Sequence, residues 1–209
     1  LPSLVRSLPS GKTPGFVAAA PTGPHADVAN GKAQIGTVVD TAINQVTATI
    51  PIPTGPPQFL ALAPDGRTLY VSIFNEARTI HAIDVLDTAS NTVVATIPQP
   101  ARPYLPAVSR DGKRIYVPNH DTASVSVNGT DTNTVSHEVK VAPNPHRVAS
   151  PRDSAPPEPP HPGANAVSAL AHPPPNFCAF CREGRVLLRI YRDKPGGFPY
   201  NHSDACTIP

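Results

Sequence analysis

The chain has 209 residues, and its 17 basic and 15 acidic residues leave a net charge of +2. This near balance predicts no basic surface of the kind that binds nucleic acid or an anionic membrane. The sequence contains no run of 18 apolar residues, so it predicts no membrane-spanning helix. The length fits one or two domains with a hydrophobic core.

Residues 1–10 precede any recognisable pattern, and we interpret them as an N-terminal extension. They contain no apolar stretch of the kind that forms the centre of a signal peptide. The sequence begins at Leu1 and contains no methionine. We therefore expect either a mature product or a fragment of a longer protein.

From residue 11 the sequence repeats one unit, and we place the repeat region at residues 11–153. Residues 14–23 align with residues 57–66, each with an apolar run between two prolines. Residues 40–50 return as residues 87–97, and both begin with Asp-Thr-Ala. A unit of this length predicts a repeated supersecondary element. Four prolines, 43, 46 and 42 residues apart, mark the starts of the units: Pro14, Pro57, Pro103 and Pro145.

Apolar residues alternate with polar ones inside each unit, which predicts β-strands. In the first unit Val46, Ala48 and Ile50 share one face, and the threonines between them share the other. The Asp-Gly pairs at 65–66 and 111–112 favour hairpin turns, because glycine accepts a positive φ and aspartate tolerates it. We expect four short antiparallel strands in each complete unit and an all-β structure over residues 11–150.

Four short strands in 40 to 50 residues are typical of a β-propeller blade. The pattern Pro-x7-Asp-Gly, a strand with Tyr-Val, and then Asp-Thr-Ala-x-Asn-x-Val resembles the YVTN β-propeller repeat, which is itself similar to the lactonase-type propellers. The tetrapeptide is degenerate at residues 27–30, 70–73 and 116–119. The resemblance implies an all-β fold, a partial β-propeller of about three four-stranded antiparallel blades. It also implies an extracellular or cell-surface location, as in bacterial surface proteins and sensor domains.

One position of the first unit differs from its counterparts. Asp27 stands where the later units have Tyr70 and Tyr116. A carboxylate in a half-buried aromatic position is expected to weaken this blade unless its surroundings are wetter.

The repeat stops in the fourth unit, after Asp153. Residues 151–175 hold nine prolines, which lack the donor that a sheet needs. We predict that residues 154–209 form a Pro-rich, largely irregular tail. Within it, residues 154–184 are expected to lack regular structure, and only residues 185–191 to form a strand. The abrupt change also resembles a shift of reading frame.

The three cysteines lie in this tail. Cys178 and Cys181, followed by His202 and Cys206, have the end spacings of a tetrahedral zinc site. The segment has few apolar residues that could fold around an ion. We therefore favour cysteines without a metal role and predict no cofactor, and a zinc site remains the alternative.

The residue after each starting proline varies, whereas the strand behind it stays small and apolar. The YVTN resemblance places that strand innermost, with its start near the mouth of a central channel. Variation on a constant scaffold is how repeat proteins build binding surfaces, although exposed loop residues also vary. A polar or anionic ligand, such as a peptide, glycan or carboxylate, suits these side chains. The predicted binding residues are Gln58, Arg102, Tyr104 and His146.

The sequence contains no nucleophile elbow, phosphate loop or paired histidines on a helix. We therefore interpret the chain as a non-enzymatic ligand- or protein-binding module of a cell-surface propeller, able to self-associate through open blade edges. A lactonase-like hydrolase is the first alternative, which a carboxylate converging with His146 would favour. A degenerate or frame-shifted product without selected function is the second.

Overall fold

The computed structural model describes residues 6–21, 23–148, 177–182 and 185–190. These residues form strands and two three-residue 3-10 turns, without any α-helix. After a first strand, β1 (Arg6–Pro9), the next twelve strands make three four-stranded antiparallel sheets in chain order. The prediction of an all-β partial propeller with about three blades is therefore confirmed. No described residue belongs to a helix long and apolar enough to cross a membrane.

Each four-stranded sheet is one repeat unit, which we call a blade. The first blade consists of β2 (Pro14–Ala19), β3 (His25–Asn30), β4 (Ile35–Asp40) and β5 (Gln45–Pro51). The second consists of β6 (Pro57–Leu62), β7 (Thr68–Phe74), β8 (His81–Asp87) and β9 (Thr92–Pro98). The third consists of β10 (Ala107–Val108), β11 (Arg114–Asn119), β12 (Ser124–Gly129) and β13 (Thr134–Lys140).

The predicted Asp-Gly turns close hairpins in the second and third blades. Gly66 and Gly112 have φ values of 72° and 71°, which a residue with a side chain rarely adopts. Oδ1 of Asp65 accepts a hydrogen bond from the backbone N–H of Arg67 at 3.0 Å. Asp111 makes the same contact with the N–H of Lys113 at 3.0 Å, so both turns are held by one local device.

The blades pack face to face, and their contacts form two apolar interfaces. The first–second interface packs Ile50 and Ile52 of the first blade against Leu69, Val71 and Ile73 of the second. The second–third interface is built on two further groups of buried residues. The second blade contributes Tyr70, Ile83, Val85 and Ile97, and the third contributes Ile115 and Val117.

The start of the fourth unit lies beside the third blade. Pro103 bridges Asn119 in antiparallel fashion, and Leu105 forms a parallel bridge to Arg147. The backbone N–H of Leu105 donates to the carbonyl of His146 at 3.2 Å. These contacts place Tyr104, which follows Pro103, next to His146, which follows Pro145.

Two strands of the predicted tail are described. β14 (Phe177–Arg182) and β15 (Arg185–Ile190) form an antiparallel hairpin, and β15 pairs with β1. This three-stranded sheet lies beside the first blade. The strand at 185–190 agrees with the prediction. The predicted absence of regular structure over 154–184 is wrong for the six residues of β14, because pairing with β15 satisfies their backbone hydrogen bonds. The other tail residues, which carry the Pro-rich prediction and the suspected frame shift, lie outside the described residues.

Candidate functional site

Aromatic rings from successive units meet at the end of the blades where the innermost strands begin. The ring of Tyr104 stacks on His120 at a centroid distance of 4.9 Å and on Phe74 at 5.5 Å. His146 meets Tyr104 edge-on at 4.8 Å and His120 at 4.9 Å. Phe59 lies 5.2 Å from Tyr104. These five residues form what we call the rim cluster.

The repeat explains why these rings meet. The start of the first strand in a unit pairs with the end of the second strand, as in Pro57 with Ile73. The residue after the starting proline and the residue after the tetrapeptide therefore lie at the same end of a blade. In the third unit the backbone N–H of Tyr104 donates to the carbonyl of Pro118 at 2.9 Å, and that of His120 donates to the carbonyl of Arg102 at 3.0 Å.

An ion-pair group of Arg78, Arg102 and Asp121 borders the rim cluster. Nη2 of Arg102 donates to Oδ1 of Asp121 at 3.1 Å. The Arg102 guanidinium also lies over the rings of Phe74 and Tyr104, with its carbon 5.6 and 5.8 Å from their centres. Nη1 of Arg78 is 3.8 Å from Oδ2 of Asp121. The side chain of Arg78 is 61% exposed and that of Arg102 is 19% exposed, so Arg78 is the cation that faces solvent.

His120 links the ion-pair group to the rim cluster. Its Nδ1 lies 2.8 Å from Oδ1 of Asp121 and 3.4 Å from Nη2 of Arg102, and because a carboxylate only accepts, the shorter contact is a hydrogen bond in the tautomer that carries its proton on Nδ1. The hydrogen bonds from His120 and Arg102, together with the charges of Arg102 and Arg78, hold the pKa of Asp121 below its usual value. In the tautomer that donates from Nδ1, Nε2 of His120 is left as an acceptor or base.

The structure brings together three of the four residues predicted from sequence: Arg102, Tyr104 and His146 lie in or against the rim cluster. Gln58 joins it indirectly, because its Nε2 donates to the backbone carbonyl of Phe74 at 3.1 Å. Their shared location is a finding of the structure, whereas their role in binding stays a prediction.

Five residues of the site were missed by the sequence analysis: Phe59, Phe74, Arg78, His120 and Asp121. The signal was present, because the position after the tetrapeptide varies as much as the one after the proline. It holds Gly31, Phe74 and His120 in the three units. Comparing that second position would have predicted the stacked rings.

No group of three His, Cys, Asp or Glu side chains that could hold a metal ion is found among residues 6–21 and 23–148. Cys178 and Cys181 of the suspected zinc pattern lie on β14. His202 and Cys206 lie outside the described residues, so the zinc alternative is untested.

The family model for "Lactonase, 7-bladed beta-propeller" matches residues 28–163. No curated protein matches the chain. Among solved structures, a hydrazine synthase chain of Kuenenia stuttgartiensis aligns with a TM-score of 0.59 and 22% sequence identity. The alignment covers 65% of this chain but 38% of that one, and at this identity it concerns the fold alone. Because the family model covers well over half of the sequence, the chain belongs to the lactonase, 7-bladed β-propeller family.

Proposed function

We propose that the rim cluster and its ion-pair group bind a small organic carboxylate. The observation that carries this proposal is the convergence of Arg78, Arg102 and His120 on a single carboxylate, that of Asp121. The site already holds the chemical group that we propose as its ligand. Arginine favours carboxylates because its planar fork of donors matches their geometry.

The surroundings of Arg102 make its guanidinium a strong donor. Most of this side chain is covered, and the rings of Phe74 and Tyr104 line it. An ion pair in such partly desolvated surroundings is screened less than one at an open surface. The Nε atom of Arg102 is buried without a hydrogen-bond partner in the described part of the chain. A hydrogen-bond acceptor at this atom would offset the desolvation penalty of an unpaired donor.

The rings supply a flat apolar surface beside the cations. His146 is exposed at the edge of the cluster, where a ligand would meet it first. We therefore expect a carboxylate with a planar or apolar body to bind more tightly than acetate, since ring contact adds apolar burial to the ion pair.

A second candidate function is hydrolysis of a lactone, which the pair formed by Asp121 and His120 favours. A carboxylate that orients an imidazole is the supporting half of many hydrolytic sites, and Nε2 of His120 would then activate water. The family description supports the same chemistry. A carboxylate converging with His146 would favour this candidate, and Asp121 contacts His120, the ring that adjoins His146.

Calorimetric titration with benzoate, with acetate for comparison, tests the binding proposal. We expect benzoate to bind the wild-type chain and Arg102→Gln to weaken the affinity at least tenfold, as loss of a charged hydrogen bond does. Arg67→Gln is the matched control, because Arg67 is an exposed arginine in a hairpin turn. Equal affinities of R102Q and the wild type would contradict the proposal.

The hydrolase candidate needs a separate assay. δ-Valerolactone should open faster with the wild-type chain than with His120→Gln, which loses the base. Equal rates in the two proteins would end this candidate and leave the binding proposal standing.

The YVTN resemblance supports one further part of the proposal, a role at the cell surface with a ligand or protein partner. Surface labelling of intact producing cells checks it. Labelling only after lysis would count against that location.

A further inference from the structure

We infer that Asp121 is an internal competitor of the ligand: its carboxylate occupies the place of the ligand's carboxylate and must swing away before binding. This inference rests on the proposed function. The cations that would hold the ligand, Arg78 and Arg102, are both paired with Asp121. A second carboxylate therefore meets partners that are already engaged.

Asp121 is better placed to move than Arg102 is. It lies in the three-residue turn His120–Thr122 at the end of the third blade. Short 3-10 turns have weaker hydrogen-bond geometry than a regular strand and adapt more easily. The guanidinium of Arg102 lies over the rings of Phe74 and Tyr104, and its side chain is only 19% exposed.

The exchange is nearly balanced in chemistry. Rotation of Asp121 breaks its contacts with Arg102, Arg78 and His120, and the ligand's carboxylate remakes them. Asp121 is tethered and needs no loss of translational freedom, so it competes at a high effective concentration. A small monocarboxylate that gains only ion pairs would bind weakly. Contact with the rings would have to supply the favourable free energy that exceeds the loss of the Asp121 contacts.

The opposite role predicts an opposite result. If Asp121 instead positions Arg102 and His120 for the ligand, its removal disorders both and weakens binding. If it competes, its removal frees them. Asn75 of the second unit occupies the place equivalent to Asp121, two residues after the tetrapeptide, so asparagine suits this position of the repeat.

Titration of Asp121→Asn with benzoate distinguishes the two roles. We expect its dissociation constant to fall at least tenfold below that of the wild type, and Asp121→Ala to bind at least as tightly as D121N. The matched control is Asp65→Asn, an exposed aspartate in a turn, which should leave the affinity unchanged.

A second readout reports displacement directly. The hydrogen bonds from His120 and Arg102 lower the pKa of Asp121, so saturation with benzoate should raise that pKa towards its ordinary value, as measured by carbon NMR of the carboxyl group. A positioning residue would keep its low pKa in the complex. This measurement needs no variant and does not depend on how a variant folds.

The outcomes separate the two proposals. Wild-type binding with tighter binding by D121N supports both, and binding by D121N alone supports the competitor most strongly. Wild-type binding with equal or weaker binding by D121N overturns the inference and leaves the proposed function standing. If neither the wild type nor D121N binds benzoate, both the proposed function and the inference are overturned.

Discussion

The first–second and second–third interfaces derive from one repeat, yet they differ at one central position. Tyr70 pairs with Ala61 in the second blade, and Asp27 pairs with Ala18 at the equivalent place in the first. Tyr70 is 3% exposed and fills the second–third interface with apolar contacts. Asp27 is 4% exposed and faces the first–second interface with a carboxylate.

The environment of Asp27 is mainly apolar. A small cavity beside it is lined by apolar side chains such as Leu60, Leu69 and Val71. Burial raises the pKa of Asp27 to about 7. Oδ2 has no hydrogen-bond partner among the described residues, and Nε2 of His25 lies 4.0 Å away. Among the described residues the neighbours of Asp27 are thus mainly apolar, which leaves the predicted weakness of this blade in place.

The two interfaces also differ at their rims. The third unit places Tyr104 and His120 where the first unit has Gly15 and Gly31. The repeated turns and strands are thus explained by folding, whereas the second–third rim carries side chains that folding does not require. Three predictions test this contrast.

The largest effect is expected from Tyr70→Asp, which would give the second–third interface the residue of the first–second one. The variant loses the packing of a buried ring and buries a carboxylate, so the free energy of unfolding should fall by roughly 5 kcal/mol. Urea denaturation measures the change. Tyr116→Asp is the control, because Tyr116 is only half-buried. Equal losses of unfolding free energy in the two variants would show that burial in the second–third interface does not determine the loss.

The next effect concerns Asp27→Asn, which removes the buried charge. The folded chain keeps the Asp27 proton up to a pH of about 7, whereas the unfolded chain loses it near the ordinary aspartate pKa of 3.8. The wild type therefore has its full stability below the pKa of the unfolded chain. Its stability declines as the pH rises and reaches its minimum above the pKa of the folded chain. At about 1.4 kcal/mol per pKa unit, the decline is on the order of 4 kcal/mol.

Denaturation of D27N and the wild type from pH 4 to pH 8 checks this prediction. The difference in unfolding free energy should grow with pH in favour of D27N. Asp65→Asn serves as the control for loss of an exposed carboxylate. A difference independent of pH would mean that Asp27 is not buried as a titrating group.

The smallest effect is expected from Gln58→Ala. Loss of the hydrogen bond to the carbonyl of Phe74 should lower the free energy of unfolding by about 1 kcal/mol. Because Gln58 acts on the rim cluster through the backbone, benzoate affinity should fall only about threefold, which is a smaller loss than for R102Q. A tenfold or greater loss of affinity would place Gln58 in direct contact with the ligand.

Most of the fold could be predicted because its signals are local. The positive φ of Gly66 and the alternation along β5 can be inferred from a few adjacent residues. β14 was missed because its sheet also depends on β1 at the opposite end of the chain. The same reason explains the site: Tyr104 stood out by its variation, but the contacts of His120 and Asp121 depend on the non-local bridge between Pro103 and Asn119.

The second–third rim, rather than the rest of the described structure, is the proposed carboxylate site. Histidine-ring NMR during a benzoate titration tests this proposal most directly, because His120 and His146 belong to the rim cluster whereas His25 and His81 do not. The account predicts that the signals of His120 and His146 shift together with one dissociation constant, while those of His25 and His81 stay fixed. Shifts at His25 or His81, with His120 and His146 unmoved, would contradict it.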